Sequence, residues 1–273
     1  MPTESTSWLA ATLGRKVYDL EQPRIAGMPI APSHRPGYLY QLHRRHRDGY
    51  DPGRAGPRSG ASGMVVMMEH SGTHIDALSH QSDGLRLYGG IEVTPAVETQ
   101  KGFTAHGIET MAPIVARGVL LDVCAITGHD PLPPHYRITG ADLEAAARHA
   151  GVTVGPGDAL LVRTGYAKLW GDEVRYLAAA GVGRDGSEWA AAHKVGCAGC
   201  DNMTWDETDE RDPETGGTLF AHLHLIARCG IPIIENLNLE ALSRDRRGEF
   251  LFICAPLKMV GATGSPVRPI AVA

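Results

Sequence analysis

Cysteine is scarce in this chain, with 5 residues in 273. That is too few for a disulfide scaffold, so an apolar core must hold the fold. No stretch approaches about eighteen uninterrupted apolar residues, so no membrane-spanning helix is expected. Met1–Leu13 lacks a basic opening followed by an apolar run. No signal peptide is therefore expected, and the cytoplasm is the default compartment. Positive charge is not in excess: 26 Lys and Arg face 31 Asp and Glu, a net charge of −5. With a pI near 6.2, no global field favours nucleic acid or a membrane surface. The short basic run His43-Arg-Arg-His46-Arg47 reads as a solvated or substrate-covering loop. Two catalytic signatures are also missing. There is no G-x-S-x-G nucleophile elbow and no H-E-x-x-H.

Other motifs are present without the context they need. Cys197-Ala-Gly-Cys200 has no second pair to complete a zinc ribbon, so it reads as packed thiols near a strand end. Gly181–Gly186 matches G-x-G-x-x-G but follows an Ala-rich helical stretch instead of a strand, which argues against a dinucleotide site.

Hydrophobic content of 43 % and charged content of 21 % suit a globular fold. The length fits one domain over 1–273. Residues 1–14 are polar and read as frayed. Val17–Leu20 opens a short strand. Residues 33–63, rich in Arg, His, Gly and Pro, predict a long loop, which inside a domain is uncommon and often functional. Met64–Met68 reads as a buried strand. Ile108–Ile114 reads as a short helical turn or connector. Arg117–Cys124, Ala159–Gly165 and Phe250–Cys254 read as further buried strands, Phe250–Cys254 being the last. Thr139 to Gly151 carries the marks of a capped helix, with Asp142 in its first turn and Arg148 and His149 in its last. Residues 171–195 suggest Ala-rich helix, with Trp170 and Trp189 as packing anchors. Thr218–Arg228 predicts a helix stopped at Gly230. Ile231–Leu237 predicts a strand carrying Glu235 at its end, and a carboxylate there is costly unless paired or metal-bound.

The densest chemistry lies in His70-Ser-Gly-Thr-His74-Ile-Asp76-Ala-Leu-Ser-His80, which packs three imidazoles and one carboxylate into eleven residues. Neutral imidazole and carboxylate are ligands for Zn²⁺, Mn²⁺ or Fe²⁺. All four side chains occupy even positions, so an extended chain turns them to one face. A helix would scatter them. His74 and Asp76 lie about 7 Å apart along a strand, close enough to share an ion. His70 and His80 reach it only if the segment bends, and Gly72 permits that. Ser71 and Thr73 are placed to hold the imidazoles in their ligating tautomers.

This stretch resembles the H-x-G-T-H-x-D-x-P-x-H signature of the metal-dependent cyclase family, which includes bacterial kynurenine formamidases and isatin hydrolases. Leu78 stands where the family has proline. The likeness extends from about Val17 to Arg268 in the order and spacing of the strands and of the helix from Thr139. It implies an α/β fold of the swivelling β/β/α kind, a mixed sheet with flanking helices. It also implies that a helix histidine and the strand-end Glu235 join the site, with His222 preferred to His224. Dimers or tetramers with pockets lined partly by a neighbouring subunit are implied too.

The residues point to metal-assisted hydrolysis, and the resemblance implies that the bond is an amide or lactone in a small, cyclic or aryl substrate. His70, His74 and Asp76 are the expected ligands of one ion, which lowers the pKa of a bound water toward ~7. His80, His222 and Glu235 either hold a second ion bridged through Asp76 or handle protons. The ligands suit Mn²⁺ and Zn²⁺ alike. The competing classes are a lyase or dehydratase using the same ion to stabilise an enolate, and a non-catalytic metal-binding protein. The partners expected are a small-molecule substrate and further copies of the chain, with no nucleic acid and no membrane.

Overall fold

Runs of aliphatic residues build the centre of the molecule. In the computed structural model, which describes residues 14–273, they pair into a nine-stranded mixed sheet. Its strands are β1 (Val17–Asp19), β4 (His74–Asp76), β5 (Ile114–Asp122), β6 (Ala159–Arg163), β7 (Cys197–Cys200), β8 (Ile233–Glu235), β9 (Glu249–Cys254), β10 (Gly264–Pro266) and β11 (Ile270–Val272). The order is β1-β11-β9-β5-β6-β7-β8-β4-β10. The neighbours from β5 to β8 run parallel, and the flanking strands are antiparallel.

Both faces of this sheet are covered, as buried aliphatic strands require. Val119, Leu121, Leu160 and Val162 face one core with Leu143 and Ala146. Leu120, Leu161 and Ile234 face the other with Phe252 and Leu242. Leu143 and Ala146 belong to helix α1 (Gly140–Ala150). Its start is a capping box: Thr139 Oγ1 accepts from Asp142 N at 3.1 Å, and Thr139 N donates back to Asp142 Oδ2 at 2.9 Å. The α/β class and the capped helix are as expected.

Four expectations are corrected. Residues 33–63 are not one long loop, since β2 (Tyr38–Arg44) and β3 (Ser62–Met67) pair as an antiparallel hairpin. Strand β3 is not buried: Met64, Val65 and Val66 are each about half exposed. The Ala-rich stretch is broken into a turn of helix at Glu173–Leu177, a two-residue strand at Gly181–Val182, and helix α2 at Arg184–Ala192. That strand is the opening pair of the glycine motif itself, so the motif does follow a turn of helix, as expected. The motif's glycines serve close packing, because a Cβ on Gly181 would stand 2.2 Å from Asp206 O and one on Gly186 2.6 Å from Val182 Cγ1. Finally, Phe250–Cys254 is followed by β10 and β11.

The expected frayed end falls largely outside the described residues. Cys197 and Cys200 are buried free thiols in β7. Among the described residues no helix is long and apolar enough to cross a membrane.

Candidate metal centre

Three neighbouring strands assemble the site. Glu235 ends β8 and pairs directly with His74 of β4. On the other side of β4, Gly264 of β10 pairs with Asp76. The expected bend falls at Gly72, whose φ of +64° is a conformation that L side chains avoid. It carries His70 back over the strand, so His70 Nδ1 lies 2.8 Å from Asp76 Oδ1. A turn closed by His80 N donating to Ala77 O brings in His80 without the family's proline. Its ring stacks on that of His70 with centroids 4.0 Å apart. The sixth group, His222, comes from a π-helix at His222–Arg228.

The polar atoms converge closely. His74 Nε2 is 3.2 Å from Glu235 Oε2 and 3.6 Å from Asp76 Oδ1. His222 Nε2 is 3.2 Å from Glu235 Oε1 and 3.8 Å from Asp76 Oδ2. Ligand atoms ~2.1 Å from a tetrahedral ion stand about 3.4 Å apart, so these spacings fit a common cation. Two trios, His70 with Asp76 and His80, and Asp76 with His222 and Glu235, each offer ligand atoms within 4.8 Å of one another. Asp76 belongs to both, and His74 stands between them.

The far sides of two rings are already engaged. His74 Nδ1 donates to Gly72 O and His222 Nδ1 to Asp206 Oδ2, each at 2.8 Å. Both rings thus turn Nε2 toward the carboxylates. Asp76 Oδ2 and Glu235 Oε1 are buried and have no hydrogen-bond partner. Orphaned buried carboxylate oxygens are costly, and a cation at the centre would satisfy both.

Electrostatics point the same way. Burial alone pushes the His222 and His74 imidazoles down, yet Asp206 and Glu235 raise His222 well above its ordinary value, and Glu235 and Asp76 raise His74. Asp76 is held below the carboxylate range, because the surrounding imidazoles outweigh its burial. Burial lowers His80 to about 3 against the pull of Asp76, which leaves a neutral ring at the mouth of the cluster.

Residues 18–207 match the family model Cyclase. The chain belongs to the cyclase family. It is 26 % identical over 206 residues to kynurenine formamidase of Bordetella pertussis, covering 76 % of this chain and 78 % of that protein. It is 27 % identical over 214 residues to isatin hydrolase of Roseibium aggregatum, covering 76 % of this chain and 73 % of that one. A solved cyclase superposes with a TM-score of 0.83 at 29 % identity, over all of this chain and 93 % of that one. These relatives make this chain an enzyme of the cyclase family, with hydrolases as its curated relatives.

Within this cyclase, all six expected site residues come together, and His224 does not. Its ring stacks on Phe220 at 5.1 Å, with its Nε2 3.8 Å from Cys229 Sγ. Ser71 and Thr73 act differently from expectation. Ser71 Oγ donates to Met68 O, and Thr73 Oγ1 donates to Asn236 O while accepting from Gln22 N. They pin backbone, and the tautomers of His74 and His222 are set by Gly72 O and Asp206. Two side chains were not foreseen. Asp206 carried no local signal. His34, half-buried at the head of the region read as a loop, has its ring centroid 5.0 Å from that of His70. A third acid–imidazole group, His135 with Glu207 and Asp209, also pairs with Arg137 and is a surface ion-pair network.

Proposed function

We propose that this enzyme hydrolyses the amide or lactone bond of a small cyclic or aryl substrate, with Mn²⁺ or Zn²⁺ held in the His70–Glu235 cluster. The observation that carries the reading is the pair of orphaned oxygens, Asp76 Oδ2 and Glu235 Oε1, set among imidazole nitrogens. The carboxylates raise the pKa of His74 and His222, so a divalent cation bound here would compete with protons for the same positions. His70, His74 and Asp76 would hold one ion. Asp76, His222 and Glu235 would hold a second, with His80 beside both. The nitrogen and oxygen donors include no thiolate and suit either metal. Bound there, the metal supplies Lewis acidity toward a carbonyl and lowers the pKa of water.

The chain's own groups supply the rest. His80, whose ring lies beside both positions, is the group that would accept a proton from the attacking water and return one to the departing nitrogen or oxygen. The second nitrogens of His74 and His222 are tied to Gly72 O and Asp206, so both rings keep their aim during turnover. The relatives named for kynurenine formamide and isatin hydrolysis support a C–N bond in an aryl or ring substrate as the first choice.

We further propose a homodimer or homotetramer in which the β2–β3 hairpin meets another copy of the chain. Leu39, Tyr40 and Leu42 of β2 and Met64–Val66 of β3 lie about half exposed, and an isolated hairpin is marginal in water. Free cysteines fit a reducing, cytoplasmic setting.

Metal analysis of protein purified without chelator tests the centre. Wild type should carry about one or two equivalents of Mn or Zn, and His74→Ala and Asp76→Ala should lose both metal and turnover. Full metal content in either variant would remove that residue from the ligands. Product analysis should find one water added across the broken bond, and a product lacking it would point to a lyase.

A further inference from the structure

His70 differs from His74 and His222 in which nitrogen it turns inward. Its Nδ1 faces Asp76 Oδ1, and its Nε2 lies 2.8 Å from Thr263 Oγ1. Thr263 is itself held by Glu69. The backbone N of Thr263 donates to Glu69 Oε1 at 3.1 Å, and its hydroxyl makes a short contact with the same oxygen. Thr263 O accepts from Ala77 N at 2.8 Å, which ties it to the residue after Asp76. Glu69 Oε1 is 3.7 Å from His70 Nε2, so the carboxylate reaches the ring through the hydroxyl.

The direction of these bonds follows from proton counting. A carboxylate only accepts, and a hydroxyl has one proton to give. That proton goes to Glu69, so Thr263 Oγ1 can only accept from His70. Nε2 must therefore carry hydrogen. Nδ1 is the nitrogen that faces Asp76 Oδ1 at 2.8 Å, where a bound metal ion would take the place of a bridging proton. Room for this ring depends on Gly264, where a Cβ would stand 2.6 Å from His70 Cε1.

We propose that Glu69 and Thr263 are positioning residues that lock His70 as its Nε2–H tautomer, so that it meets the metal through Nδ1 while His74 and His222 use Nε2. This rests on the metal reading above. It makes the segment before β10 part of the centre.

The test uses full-length protein and Zn²⁺ as the probe. Zinc affinity is measured by chelator competition for wild type, Thr263→Val, Thr263→Ser and Glu69→Gln. The histidine nitrogens of the zinc-loaded protein are read by long-range ¹H–¹⁵N correlation, with His70 assigned from a His70→Gln variant. Thr263→Val should lose about tenfold or more in affinity, Thr263→Ser should restore it, and Glu69→Gln should fall between, because an amide oxygen still accepts. His70 should show hydrogen on Nε2 in wild type and lose that pattern in Thr263→Val. A change in melting temperature that serine does not correct, without a change in affinity, would make Thr263 merely structural and overturn the proposal. So would hydrogen on His70 Nδ1 in the loaded wild type. If wild type takes up no Zn²⁺, the metal reading itself fails and takes this one with it. If wild type binds and Thr263→Val binds equally, only the relay fails.

Discussion

Asp206 governs His222 from sixteen residues away in sequence. Its Oδ2 takes the Nδ1 proton and its Oδ1 accepts from Ala221 N at 2.7 Å, so one carboxylate fixes both the ring and the start of its helix. Burial raises its pKa, and the bond to His222 offsets part of that. Asp206→Ala should leave His222 free to rotate and to change tautomer. Metal affinity should fall about 10–100-fold. Titration with Mn²⁺ or Zn²⁺ checks this, and an unchanged affinity would show that the π-helix alone aims the ring. The contacts of Asp206 also show why its role has no signature in the sequence. His70, His74, Asp76 and His80 declare themselves because their spacing is local. Asp206, Glu69, Thr263 and His34 act through contacts that only the folded chain creates.

Elements were legible where local chemistry decides them. The helix at Gly140–Ala150 follows from its capping box and from Gly151, and the parallel strands follow from aliphatic runs. Thr139→Ala removes one cap and should cost about 1 kcal/mol of stability. Urea unfolding would read it, and a loss near zero would mean that packing against α2 holds the helix unaided. Elements were misread where partners lie outside the segment. The β2–β3 hairpin carries loop-like Gly, Pro and Arg and buries neither face, so it gave no alternating pattern. The register around His222 and His224 was open in the sequence, because a π-helix places side chains differently from the 3.6-residue period. The structure turns His222 inward and sets His224 against Phe220.

At the scale of the whole molecule, the sheet supplies a rigid frame on which β8, β4 and β10 meet, and the exposed hairpin stands apart from that frame. In the assembly proposed above, the half-exposed Leu, Tyr, Met and Val of this hairpin would meet another copy of the chain. Leu39→Glu with Val65→Glu should shift the assembly to monomer in sedimentation, and an unchanged mass would place the interface elsewhere.

In the proposed mechanism, hydrolysis depends on a cation at this cluster. The most direct test strips the enzyme with chelator, dialyses it, and assays an aryl formamide, isatin and an aryl lactone before and after adding back Mn²⁺ or Zn²⁺. The enzyme as purified should hydrolyse at least one of these, the stripped protein should not turn over, and metal should restore activity. Metal near 100 times its Kd should also raise stability by about 2.7 kcal/mol. Full hydrolytic activity in protein shown to be metal-free would contradict that mechanism.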